Sequence, residues 1–176
     1  MQKVLVFGTF DGVHDGHRAM LREAKIVASG EWRVASENKI QKFIPPTTHT
    51  RLLATNSYLM VAIAPDAIVG QLKGHAPRHT SSQRIAMLKS EHLADEVILA
   101  DSEAGSWTII KKTKPNIIAL GYDQHELRTS LETFLDQNYP DVETAEGEWQ
   151  TNPKRPKIVI LSAHQPDRFH NHLLHS

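Results

Sequence analysis

Two histidines, two aspartates and three glycines fall within ten residues near the start of the chain, in Gly8-Thr9-Phe10-Asp11-Gly12-Val13-His14-Asp15-Gly16-His17. Imidazoles three residues apart can donate hydrogen bonds that follow negative charge as it grows on a phosphorus centre. The glycines let the backbone close tightly and leave room for a bulky ligand. An apolar run, Val4-Leu5-Val6-Phe7, precedes this stretch, and a helical pattern from Arg18 to Lys25 follows it. A buried strand therefore empties into a turn that feeds a helix. The first turn of such a helix leaves amides unpaired and carries the positive end of the dipole. Anions bind there, phosphates above all. Residue type and spacing leave two other uses open: a capping or core role for His14, and a metal site built from Asp11, His14 and His17.

The elements that must hold this turn follow from periodicity. Gly30 reads as a helix stop. Residues 31–56 fit neither the strand nor the helix period and contain Pro45-Pro46. They read as an insertion at the far edge of the sheet, at the amino ends of the strands and away from the site. A surface excursion is the expectation, and a lid or homodimer contact is the alternative. Tyr58 to Ala64 is a continuous apolar strand ending at the turn signal Pro65-Asp66. Gln71 to His79 reads as a basic loop, and Ser81 or Ser82 as the cap of a helix over Gln83–Lys89. Further strands are expected at Val97–Ala100, Asn116–Leu120 and Lys157–Leu161, with helices at Ser106–Lys112 and about His125–Asp136. A polar loop with Pro140, Gly147 and Pro153 precedes the last strand, and a histidine-rich tail runs from residue 162.

Strands alternating with helices predict an α/β fold: a Rossmann-like, doubly wound, five-stranded parallel sheet with helices on both faces, in one domain over 1–176. In the strand order 3-2-1-4-5 the first and fourth strands meet at the switch point, where ligands lie. The two loops richest in polar and glycine residues follow those two strands.

Composition narrows the function. Lysine plus arginine and aspartate plus glutamate both number 20, so the formal charge is zero and no basic face points to nucleic acid. Cysteine is absent, which excludes disulfides, thiolate catalysis and cysteine metal clusters. No apolar run approaches the ~20 residues that span a bilayer. The first apolar run, of four residues, is too short for a signal peptide. The expectation is a soluble cytoplasmic protein with no membrane partner.

Gly8-Thr9-Phe10-Asp11 followed by His14-x-Gly16-His17 resembles the signature of the H-x-G-H nucleotidyltransferase superfamily. The run from Lys114 to Gln124, with Lys73-Gly74, Pro77 and Pro166-Asp167-Arg168-Phe169, resembles the archaeal-type FAD synthases within it. That resemblance implies transfer of AMP from ATP to FMN with release of pyrophosphate, and Mg²⁺ carried with the triphosphate. It implies catalytic roles for His14, His17 and Lys73. Nucleotide contacts are implied for Gly8, Thr9, Phe10, Gly16, Arg84, Gly121, Tyr122, Asp123 and Asn171. Asp11 is left between organising the turn and holding Mg²⁺ through water. Relatives place small hydroxyl residues near the carboxyl terminus, where this chain has His170-Asn171-His172. The rival activities are cytidylyl transfer from CTP to glycerol 3-phosphate and nucleotide or flavin binding without turnover.

Overall fold

The computed structural model describes residues 1–30, 33–34, 40–44 and 57–162, with main chain only for 33–34 and 40–44. The chain opens with strand β1 (Gln2–Gly8) and helix α1 (Asp15–Ser29), followed by β2 (Arg33–Val34) and β3 (Ile40–Ile44). Next come β4 (Ser57–Ile63), α2 (Asp66–Lys73), α3 (Ser81–Ser90), β5 (Glu96–Leu99), α4 (Thr108–Thr113) and β6 (Ile117–Leu120). It continues with α5 (His125–Asn138), β7 (Val142–Glu143), β8 (Trp149–Gln150) and β9 (Lys157–Ile160).

The sheet runs β2-β3-β9-β6-β1-β4-β5. Five adjacent strands, β5-β4-β1-β6-β9, are parallel and stand in the expected 3-2-1-4-5 order. Alternation along β1 explains the continuous apolar run. Val4 and Val6 pack with Leu21, Ala24, Val27 and Leu88 on one face. Leu5 and Phe7 pack with Trp107, Ile110, Leu131 and Leu135 on the other. The part of β1 covered on both faces, Val4 to Phe7, therefore carries apolar side chains throughout, as in other parallel sheets.

Three local expectations are corrected. Residues 31–56 are not wholly irregular: β3 pairs parallel with β9 and β2 pairs antiparallel with β3, so the sheet gains two strands at that edge. The gain covers the backbone edge that β9 would otherwise present. Asp66 to Lys73 is a helix, so Lys73 ends α2 rather than lying in a loop; Gly74, at φ 72°, stops it. Helix α3 is capped by Thr80, not by a serine, in a reciprocal capping box with Gln83.

Candidate functional site

The turn after β1 is held by its own side chains. Phe10 takes φ 50°, in the left-handed region that disfavours a side chain, and its ring is buried at 1% exposure. That ring folds back over Gly8, where a Cβ would lie 2.4 Å from Phe10 Cε2. Gly8 is therefore required by the packing of Phe10. Gly12, at φ 98°, donates its N–H to the Phe10 carbonyl at 2.9 Å and closes the turn.

His14 is the N-cap of α1: its Nδ1 accepts the His17 N–H at 3.3 Å. Accepting at Nδ1 puts the proton of the neutral ring on Nε2, so capping and donation use different nitrogens. With the His17 amide taken by the cap, the helix-start amides left to face an anion are those of Asp15 and Gly16. The His14 and His17 rings stack at 3.8 Å between centroids, and the Phe10 ring lies 4.8 Å from His17 on a tilt. Burial drives the His17 imidazole down to about 4, helped by the neighbouring His14 and by the Lys73 and Arg18 cations, while the main chain at Gly12 opposes it. Burial also lowers His14, and Arg18 adds to that against Asp15. Both rings are therefore neutral near pH 7. His17 Nδ1 is buried without a hydrogen-bond partner. Lys73 is exposed at the end of α2, and its charge is one of those that lower the His17 imidazole.

Arg84 does not stand where it was expected. Its side chain is wholly buried (0% exposed), and all three guanidinium nitrogens donate to the protein. Nε donates to the His79 carbonyl at 3.1 Å, Nη1 to the Thr9 carbonyl at 2.7 Å, and Nη2 to the Ala64 carbonyl at 2.8 Å. Nη2 also pairs with the Asp66 carboxylate at 2.5 Å. The fork thus ties the turn after β1 to the end of β4 and to the segment before α3, and holds the site rather than the nucleotide.

Asp11 does related work. Its carboxylate accepts the Arg78 N–H at 2.7 Å and, at 3.0 Å each, the His79 N–H and ring Nδ1. Burial would raise its pKa, but the Arg78 amide and the His79 ring and amide outweigh that and hold it below the usual carboxylate value. Of its two expected roles, organising the turn is the one these contacts describe. A metal site of Asp11, His14 and His17 is not assembled: the carboxylate is engaged, and His14 Nδ1 caps the helix. Among the described residues no group of three or more His, Cys, Asp or Glu could hold a metal ion.

At the carboxyl end of β6, Gly121, Tyr122 and Asp123 form the turn to α5. Tyr122 is half-buried and Asp123 exposed. A Cβ at Gly121 would lie 3.1 Å from Asp123 Oδ1, so the glycine makes room for that carboxylate. The Gly121 N–H is not offered to a ligand, because Gln124 Oε1 accepts it at 2.8 Å. Gln124, His79 and Asp66 are site-building residues that residue type did not reveal. Gln124 lies within the run that resembles the archaeal-type FAD synthases, but that resemblance does not say what its side chain holds. Asn171 lies outside the described residues, as do His170 and His172.

No protein-family profile matches the chain. It is similar to the FAD synthases of Thermococcus sibiricus and Ferroglobus placidus. The first is 28% identical over 123 residues, 70% of this chain and 64% of that one. The second is 32% identical over 127 residues, 71% of this chain and 62% of that one. These matches span a little under two thirds of either relative's length. The FAD synthase of Halomicrobium mukohataei is 30% identical over 142 residues, 80% of this chain and 76% of that one. In fold, the chain resembles the lipopolysaccharide core biosynthesis protein from Thermoplasma volcanium. The TM-score is 0.62 and the identity 22%, over 94% of this chain and 99% of that one. The order of the five parallel strands, the histidine-bearing turn at their switch point and these sequence relatives agree: the chain belongs to the FAD synthase family, within the nucleotidyltransferase superfamily that its first turn resembles.

Proposed function

We propose that the protein transfers AMP from ATP to FMN and releases pyrophosphate. The observation that carries this is the stacked pair of His14 and His17 at the amino end of α1, on the turn that follows β1. The family's FAD synthase relatives support the choice of substrates.

The reaction needs no protein nucleophile. A phosphate oxygen of FMN attacks the α-phosphorus of ATP, an O–P bond forms, and the bond to the β-phosphate oxygen breaks as pyrophosphate leaves. The protein aligns the two phosphates and stabilises charge. In this scheme His14 Nε2–H and the neutral ring of His17 donate to phosphate oxygens as charge develops. The helix-start amides of Asp15 and Gly16 hold another oxygen, and Lys73 follows the departing pyrophosphate. Thr9 and Phe10 line the turn, and Tyr122 and Asp123 face the ribose or base. Mg²⁺ enters as part of the nucleotide substrate, bound by phosphate oxygens, which suits a site whose Asp11 carboxylate is already engaged. ATP and FMN meet in the cytoplasm, the compartment this activity calls for.

Pyrophosphate release with paired substrates tests the assignment. ATP with FMN is expected to exceed CTP with glycerol 3-phosphate by well over tenfold. The reverse order would replace it with cytidylyl transfer. Calorimetric binding of ATP with no pyrophosphate from any pair would leave a binding module.

A further inference from the structure

The two strands that flank the crevice part company in an unusual way. The β1–β6 ladder ends at Val6 opposite Ala119, whereas β1 stays with β4 as far as Gly8 opposite Ile63. One more step of the β1–β6 register would set Phe7 against Leu120 and aim the Gly121 N–H at the Phe7 carbonyl. A side-chain amide stands between those groups instead. Gln124 Oε1 accepts the Gly121 N–H at 2.8 Å, and Gln124 Nε2 donates to the Phe7 carbonyl at 3.0 Å. The Gln124 N–H closes back on the Gly121 carbonyl at 3.1 Å.

A primary amide carries the same donor and acceptor as a peptide unit. Set into the ladder, it satisfies both backbone groups while holding the strands one amide width further apart. Only one orientation works, because the flipped amide would face donor with donor and acceptor with acceptor. Asp123 is carried between two anchored neighbours, Gly121 and Gln124.

We propose that Gln124 is a positioning residue whose side-chain amide, wedged between Phe7 and Gly121, sets the width of the nucleotide crevice and the place of Asp123. This rests on the proposed nucleotide site. Ala at 124 removes the wedge and lets the crevice narrow or take in water. Glu at 124 keeps the acceptor for Gly121 but turns a carboxylate oxygen toward the Phe7 carbonyl. Once protonated, that carboxyl donates as the amide does.

The test measures ATP affinity by calorimetry, and KM and kcat for ATP with FMN saturating, in wild type, Gln124→Ala and Gln124→Glu. Gln124→Ala is expected to raise Kd and KM for ATP about tenfold while kcat stays within about threefold. Gln124→Glu is expected to be at least as impaired at about pH 8 and to approach wild type at about pH 5.5, so that the ratio of the two affinities narrows. A folded Gln124→Ala with wild-type Kd, or a Glu-to-wild-type ratio flat across pH, overturns the wedge. The pH ratio decides the matter if the alanine variant does not fold. If wild type binds no ATP, the nucleotide site itself falls and takes the wedge with it. If wild type binds and the variants match it, the wedge alone falls.

Discussion

The imidazoles of His14 and His17 lie face to face, 3.8 Å between ring centroids and 21° between planes. Two cations at that distance would repel, and burial already disfavours charge on His17. The pair therefore waits as two neutral rings, and in the proposed reaction the triphosphate is the group that would favour a proton there.

Stability should carry the mark of this. The His17 ring is held at about 4 against an ordinary 6.5, so between those values the unfolded chain binds a proton that the folded chain refuses. Stability is then full above the upper value and falls as pH drops toward the lower one, by at most ~3 kcal/mol. Thermal unfolding from about pH 7.5 to about pH 4.5 measures it, and His17→Gln should flatten the slope relative to wild type. Identical slopes would mean that His17 titrates normally.

Turnover should depend on the same ring. His17→Ala is expected to fold normally and to lose about two to four orders of magnitude in kcat, the scale of a lost transition-state donor. Circular dichroism and pyrophosphate release together check this. Wild-type kcat in a folded variant would remove His17 from the chemistry.

Arg84 behaves differently if it is a strut. Arg84→Lys keeps one positive charge but loses the fork that reaches Thr9, Ala64, His79 and Asp66. A loss of roughly 2–4 kcal/mol in stability is expected, from buried carbonyls left unpaired. A residue that merely touched the nucleotide would leave denaturant unfolding unchanged and raise only KM.

Gly8→Ala tests the folded-back ring. The added Cβ would meet Phe10 Cε2 at 2.4 Å, and Phe10 is already confined by its φ of 50°. Overpacking of this kind costs about 1–3 kcal/mol, and the displaced turn should also raise KM for ATP. Gly8→Ala with the melting temperature and KM of wild type would contradict that packing.

The inner strands were legible because burial on both faces makes them continuous apolar runs, as in Val4 to Phe7 and Ile117 to Leu120. The first turn was legible because its chemistry sits in contiguous residues. Helix α2 was not, since Pro65 and Gly70 punctuate it and eight residues give little period. Strand β3, Ile40-Gln41-Lys42-Phe43-Ile44, lacks clean alternation, and its pairing with β9 depends on residues more than a hundred positions away. The type of Arg84 reveals a fork of donors suited to phosphate but not their targets. Those targets are backbone carbonyls 75 and 20 residues distant at Thr9 and Ala64. Gln124 escaped for the same reason: its partner at Phe7 is 117 residues back.

The central claim is that the α-phosphate of ATP passes to FMN at the turn between β1 and α1. Incubating the protein with FMN and ATP labelled at either the α- or the γ-phosphate, then separating flavins from pyrophosphate, tests it most directly. The expected result is α-label in FAD and γ-label in pyrophosphate, in equal amounts, with both lost in His17→Ala. Flavin that stays unlabelled while the protein releases pyrophosphate to another acceptor would contradict it.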